Sequence, residues 1–344
     1  MSPRPQRAAP VDGMTSSVDA AELYARIDVE RYDLHARYLN EQMVRVLRTI
    51  GYNVGFCRGA GQYLYDRSGT RYLDLLSGYG VFAIGRNHPA LRQALKSVLD
   101  AELPNLVQFD VSPLAAVLAR RLLDFAPYLD KVFFANSGTE AAEAAIKFAR
   151  CATGRPAVLY CAHAFHGLTN GALSLNGDPI FRNGFEPLLP HCREIPFNDL
   201  AALERALATR DVAAFVVEPI QGKGVNLPDE HYLREAAALC RRHGVLFVAD
   251  EVQTGLGRTG RFFAVDHWGV EPDMVLVAKA LSGGHVPVGA VLMRKRIYEN
   301  VFDRLDRAVV HGSTFAKNDL AMTAGLAMLE VMRNECLVAR AERL

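Results

Sequence analysis

Six short apolar runs punctuate the middle of the chain: Lys131–Ala135, Ala157–Cys161, Ala213–Glu218, Val245–Asp250, Met274–Ala278 and Gly289–Met293. None alternates polar with apolar residues. Each is therefore expected to be buried on both faces, as strands inside a parallel sheet are. Most are separated by stretches long enough for a helix. Strand–helix alternation of this kind predicts an α/β fold, a mainly parallel sheet covered by helices on both faces. Upstream, Leu23, Ile27, Tyr32, Leu34, Leu39, Met43, Val46 and Leu47 fall at helical spacing and predict an amphipathic helical segment from Ala20 to Ile50. Gly59–Asp74 reads as two short strands joined by the turn Asp66-Arg-Ser-Gly69. A helix from Pro89 to Leu103 and a long apolar one from Asp319 to Asn334 complete the pattern.

Composition narrows the class. The chain has 344 residues, half of them apolar, which is enough for one large or two smaller cores. Its 39 basic and 38 acidic residues leave a net charge of +1, with no clustered basic face of the kind nucleic-acid binding needs. No apolar run approaches the ~20 residues of a membrane span. The six cysteines show neither CxxC pairs nor metal-ligand spacing, so reduced thiols in the cytoplasm and no metal site are expected. The Pro/Arg-rich start, Met1–Pro10, lacks the apolar core of a secretory signal and reads as a disordered tail.

Two of the apolar runs end in charge. Met274–Ala278 leads into Lys279 and a Ser-Gly-Gly turn, and Val245–Ala249 leads into Asp250 and Glu251. Open α/β sheets bind ligands at the carboxyl ends of their strands. A strand-end lysine and a strand-end aspartate facing one ligand suit pyridoxal 5'-phosphate. The amine forms a Schiff base with the aldehyde, and the carboxylate keeps the pyridine nitrogen protonated so that the ring acts as an electron sink. A further motif, Asn136-Ser137-Gly138-Thr139-Glu140, follows one strand and opens an Ala-rich helix. Ser137 and Glu140 have capping-box spacing, and the free N–H groups of such a helix suit a phosphate dianion; alone, the motif is also simply a well-capped helix. Phe165-His166-Gly167 and Val216-Val-Glu218 bring an aromatic, an imidazole and another carboxylate near strand ends, and a carboxylate buried there needs a partner.

The stretch Leu246-Phe-Val-Ala-Asp250-Glu-Val-Gln253-Thr-Gly-Leu-Gly-Arg-Thr-Gly260, followed by Lys279, resembles the class III (ω-amino acid) aminotransferases. These are pyridoxal-phosphate enzymes of the aspartate-aminotransferase fold, fold type I. Five separated motifs in family order between Val54 and Met332 carry the resemblance. It implies a large domain with a mainly parallel seven-stranded sheet, plus a small-domain part from the N-terminal segment. The chain then divides into a tail (1–19), an arm and small-domain segment (20–85), a large cofactor-binding domain (86–318) and the start of an interdomain helix (319–344), with the family's C-terminal domain absent.

The resemblance also implies roles. Ser137, Gly138 and Thr139 form the phosphate cup. Phe165 stacks on the ring with His166 beside it, and Val252 packs on the opposite face. Asp250 meets the pyridine nitrogen, Gln253 the phenolic oxygen, and Lys279 forms the Schiff base and moves the proton. His311-Gly-Ser-Thr314-Phe315 resembles a motif whose threonine reaches the phosphate of a partner subunit, which implies a homodimer with shared sites. After it, Ala316-Lys317-Asn318-Asp319 departs from the family's usual Gly-Gly-Asn-Pro. Tyr79 matches an aromatic gate at the substrate entrance, or is a partly buried turn residue. Glu218 resembles a glutamate that pairs with an arginine of the C-terminal domain; with no such arginine in this chain, it is expected to be exposed or paired otherwise. The implied reaction is ping-pong transfer from an ornithine-, acetylornithine- or putrescine-like donor to a 2-oxo acid such as 2-oxoglutarate. Other pyridoxal-phosphate chemistry (aminomutase, epimerase or decarboxylase), or cofactor binding without turnover, remains open.

Overall fold

The computed structural model describes residues 19–107 and 109–344, so the expected tail, apart from Asp19, lies outside the described residues. The chain divides into two compact units, residues up to 59 with 63–73, and residues 60–62 with 74–344. Residues 74–85, read from sequence with the N-terminal segment, pack within the second.

In the first unit the expected helical segment is three short helices, Ala20–Ile27, Arg31–Tyr38 and Glu41–Thr49. Each break has a specific cause. Asp28 is buried and paired with Arg31 and Arg67, which fixes the chain in a 3₁₀ turn between the first two helices. Asn40 separates the second and third, its side chain accepting from Met43 N–H at 3.0 Å as an N-cap. After strand β1 (Arg58–Ala60), β2 (Tyr63–Tyr65) and β3 (Arg71–Leu73) pair antiparallel across the expected Asp66–Gly69 turn.

The second unit is built on a seven-stranded sheet. Its strands are β4 (Lys131–Ala135), β5 (Ala157–Cys161), β6 (Cys192–Ile195), β7 (Val212–Val217), β8 (Leu246–Asp250), β9 (Met274–Val277) and β10 (Gly289–Met293), in the order β4-β10-β9-β8-β7-β5-β6. The pairs from β6 across to β9 are parallel; β10 runs antiparallel to both β9 and β4. Six strands coincide with the apolar runs to within a residue at most ends. The seventh, β6, reads Cys-Arg-Glu-Ile and lies at the sheet's edge, where polar residues are tolerated, so no apolar run announced it.

Side chains of the central strands alternate between two cores. Phe247, Ala249, Val275 and Val277 join one cluster, with the helices Tyr232–His243 and Asp319–Asn334. Leu246, Val248, Met274 and Leu276 join the other, against the helix Gly138–Thr153. That helix presents alanines to the sheet, which lets it lie close and carries high intrinsic propensity. Both faces are therefore covered, as the unbroken apolar runs required.

Glu251, directly after β8, is fully buried. Thr254 Oγ1 donates to its carboxylate at 2.5 Å and Val265 N–H at 2.8 Å. Burial outweighs those donors and pushes its carboxyl from 4.5 up to about 7. As pH rises between those values the unfolded chain ionises while the folded chain keeps its proton. This residue therefore lowers stability progressively from about pH 4.5 to about pH 7 and by a constant amount above. Denaturant unfolding from about pH 5 to about pH 8 should show the wild type losing up to about 3 kcal/mol more than Glu251→Gln over that span. Equal losses in the two proteins would contradict this placement.

Candidate active site

Because β5, β7, β8 and β9 are parallel, their carboxyl ends share one edge of the sheet. A cavity of about 580 Å³ opens there, lined among others by Asn136, Ser137, Gly138, Thr139, Phe165, His166, Asp250, Val252 and Lys279. A larger hollow, about 860 Å³, lies at the opposite end of β8. Its Arg294 and Arg296 are already neutralised by Asp273 at 3.2 and 2.7 Å, and it holds no strand-end carboxylate–lysine combination. The smaller cavity is the one with chemistry.

One wall is a helix start. Ser137 is in extended conformation and its hydroxyl accepts from Glu140 N–H at 3.2 Å, an N-cap. Only half of the expected capping box forms. The Glu140 carboxylate accepts instead from Asn136 N–H at 2.5 Å. The N–H groups of Gly138 and Thr139 have no partner among the described residues and border the cavity. A Cβ built on Gly138 would stand 2.9 Å from Val252 Cγ1, so glycine is what lets the helix end approach the β8 loop. Free donors at the positive end of a sixteen-residue helix are a fitting cradle for a phosphate.

The Thr139 hydroxyl is committed elsewhere. It accepts from Leu168 N–H (3.2 Å) and Thr169 N–H (3.1 Å) and lies 2.8 Å from Thr169 Oγ1, which gives its own proton to Glu143 at 2.6 Å. The Thr139 proton must then point to Thr169, and only the backbone N–H of Thr139 is left for a ligand. This relay ties the helix start to the Phe165–Thr169 loop.

The opposite end of the cavity is ionic. Asp250 is 4% exposed; its Oδ2 lies 2.6 Å from His166 Nδ1, and its Oδ1 accepts from Val252 N–H at 3.0 Å. Burial works against the charged imidazole, but the hydrogen bond and charge of Asp250, with Glu218 behind it, hold His166 above its ordinary value. Its Nε2 is buried without a partner among the described residues. Asn176 fixes the loop by accepting from His166 N–H at 2.8 Å and donating to Gly167 O at 2.9 Å. Asp250 keeps lone pairs free for a further donor, as a pyridinium N–H would be. Phe165, edge-on to Phe181 at 5.3 Å, and Val252 supply the apolar surfaces that a flat ring requires.

Lys279 follows β9, the neighbour of β8, and opens a short 3₁₀ turn at φ +39°. A lysine seldom holds positive φ, and strain of this kind accompanies functional positions. It is half-buried, and its ammonium has no hydrogen-bond or ion-pair partner among the described residues. The donor set, the helix end and the free amine together fit a phosphorylated pyridine aldehyde.

Four expected site residues do not line this cavity: Glu218, Gln253, Tyr79 and Thr314. Glu218 is 6% exposed, and its carboxylate accepts from Phe165 N–H at 2.9 Å and Gly222 N–H at 2.8 Å. It is paired otherwise, with backbone. Burial raises its carboxyl, His166 lowers it, Asp250 raises it, and the net direction is up. Gln253 donates to Tyr79 O at 3.2 Å and thereby holds the Ser77–Gly80 turn, on which Tyr79 is 68% exposed at φ +61°. Thr314 is exposed beside Ser313, whose hydroxyl accepts from Asn136 Nδ2 at 2.6 Å. Conversely, Leu168 and residues 285–288 line the cavity without having been singled out, and Ser282 and Gly284 line it without having been given a role. Their signal was position alone, directly after the Phe165 motif and the Lys279 turn.

Comparison with known proteins gives the family of the chain. The family model described as Aminotransferase class-III matches residues 50–344. The aminotransferase PigE of a Serratia strain is 39% identical over 346 aligned positions, spanning all of this chain and 41% of that protein. The chain thus covers about two fifths of that relative's length. The acetylornithine aminotransferase of Methanopyrus kandleri is 44% identical over 83% of this chain and 72% of its own length. Among solved structures, the ornithine aminotransferase of Toxoplasma gondii ME49 superposes with a TM-score of 0.85 at 33% identity, covering 95% of this chain and 78% of that one.

Removing the Asp250 side chain leaves His166 buried beside an empty space. Asp250→Ala is expected to cost roughly 3 kcal/mol of unfolding free energy, and Asp250→Asn less than half of that because the amide oxygen still accepts. Chemical denaturation measures both. A destabilisation below about 1 kcal/mol for Asp250→Ala would contradict the pairing described.

Proposed function

The chain belongs to the class-III aminotransferases, and from that premise we propose that it moves an amino group from an ω-amino or diamino donor to a 2-oxo acid such as 2-oxoglutarate. The cofactor is pyridoxal 5'-phosphate. The observation that carries the reading is one cavity holding a strand-end lysine without a partner among the described residues, a strand-end aspartate backed by a buried histidine, and an open helix N-terminus. Acetylornithine and ornithine aminotransferases among the relatives support an ornithine-like donor.

When bound, the cofactor supplies an aldehyde and a cationic ring that withdraws electrons from the carbon bearing the amine. The chain does the rest. Gly138 and Thr139 N–H groups hold the phosphate, Ser137 fixing their direction. Phe165 and Val252 clamp the ring faces. Asp250 receives the ring N–H, and His166, held by its own hydrogen bond to Asp250, keeps that carboxylate turned toward the ring. Lys279 would hold the aldehyde through Nζ, and once that amine is free it is placed to take a proton from the donor carbon as a general base and return it across the same cavity. Glu218 fixes the loops at Phe165 and Gly222. Gln253 joins the β8 loop to the Tyr79 entrance turn.

The working form is a homodimer in the cytoplasm. Leu305, Val309 and Phe315 are 97%, 84% and 64% exposed on the segment that carries Thr314, an apolar surface suited to a second copy. In such a dimer Thr314 would help hold the phosphate in the partner's site. The six free cysteines fit a reducing compartment, and no helix among the described residues is long and apolar enough to cross a membrane.

Lys279→Ala should abolish the visible absorption of the cofactor-loaded protein and lower transamination by roughly 10³-fold or more. The wild type should give the parallel-line kinetics of a ping-pong reaction when donor and 2-oxo acid are varied together. A Lys279→Ala protein that retains the band and turns over would overturn the assignment. Amino acid transformed without consumption of 2-oxo acid would move the chain to another pyridoxal-phosphate chemistry.

A further inference from the structure

Lys223 and Asp178 form an ion pair that the site described above does not use. The pair flanks Phe165 through two independent routes. Lys223 Nζ sits 4.8 Å from the centre of the Phe181 ring, and Phe181 meets Phe165 edge-on at 5.3 Å. The ammonium is thus one aromatic ring removed from the cavity wall. The second route is the backbone. Gly222, the preceding residue, donates to the same Glu218 carboxylate that accepts from Phe165 N–H. Gly222 also abuts Gln253 so closely that a Cβ there would fall 1.9 Å from Gln253 Oε1, and Gln253 holds the Tyr79 entrance turn. Lys223 therefore follows a residue that touches both the Glu218 carboxylate and Gln253, and its ammonium stands at Asp178 and Phe181, behind the residues that line the cavity.

We propose that Lys223 seats the distal carboxylate of a dicarboxylic 2-oxo acid, exchanging Asp178 for the substrate. The idea rests on the aminotransferase reading. A dicarboxylic acceptor places one carboxylate beside the reacting carbonyl and a second one away from it, and the second needs a cation off the reaction centre. The basic side chains lining the cavity are otherwise engaged: Lys279 is the reacting amine, His166 is bound to Asp250, and His285 Nδ1 lies 3.3 Å from Gly283 O. Among the described residues Lys223 meets only Asp178 and the Phe181 face. Its side chain is 45% exposed and that of Asp178 26%, and pairs open to water hold weakly. Trading one carboxylate for another preserves the charge balance, and the four-carbon stem of lysine allows the swing. The Phe181 face keeps the ammonium in place while its partner changes.

The test uses the cofactor-loaded chain with 2-oxoglutarate and with pyruvate, which lacks the distal carboxylate. Lys223→Met should cut the preference for 2-oxoglutarate over pyruvate by roughly 10- to 100-fold, through KM and with kcat nearly unchanged, since a hydrogen-bonded charge is lost from binding alone. Lys223→Arg should restore most of that preference. Asp178→Asn should lower KM for 2-oxoglutarate by removing the competitor. An unchanged preference in Lys223→Met, or an equal loss for both acceptors, would overturn the proposal while leaving the aminotransferase reading in place. A wild-type protein that converts neither acceptor would instead sink that reading and this proposal with it.

Discussion

Asp250 ends a strand whose five residues are all buried, and a carboxylate delivered to such a place has to find proton donors or lose its charge. Its donors are His166 Nδ1 and Val252 N–H, and these two contacts organise what surrounds them. His166 can stand at Asp250 only because Asn176 fixes its loop, and that loop carries Phe165 to one side of the cavity. The turn closed by Val252 N–H carries Val252 to the other side, against Gly138. One buried carboxylate thus fixes two walls and meets the start of the helix Gly138–Thr153.

The parallel sheet makes this economical. Neighbouring parallel strands deliver their ends to the same edge, so Asp250 of β8 and Lys279 after β9 share the cavity without any long-range device. The helix Gly138–Thr153 packs its alanines on the same sheet and starts at the same edge. Acid, amine and anion cradle are brought together by the ordinary geometry of an α/β layer. The left-handed backbone at Lys279 and the tight fits at Gly138, Gly167 and Gly284 are special to the site.

How much of this could be read beforehand follows from range. Six strands were legible because they are buried on both faces and leave unbroken apolar runs, and the helix start at Ser137 was legible because capping is local. β6 was not, since an edge strand needs no such run. The three-helix break after Ala20 depends on Asp28 meeting Arg67, a contact across the fold that periodicity does not encode. In the site, residue types at strand ends pointed to Lys279 and Asp250. The pairing of Asp250 with His166, the commitment of the Thr139 hydroxyl to Thr169, and the turning of Glu218 toward backbone N–H groups all join residues far apart in sequence. Those needed the structure.

The central claim is that Lys279, among the lysines of this chain, is the amine that meets the cofactor aldehyde. It is tested most directly by incubating the purified protein with pyridoxal 5'-phosphate, reducing with borohydride, and locating the label by peptide mass spectrometry. A single stoichiometric label on the peptide containing Lys279 is the predicted result. Label spread over surface lysines, or none retained after reduction, would contradict the account.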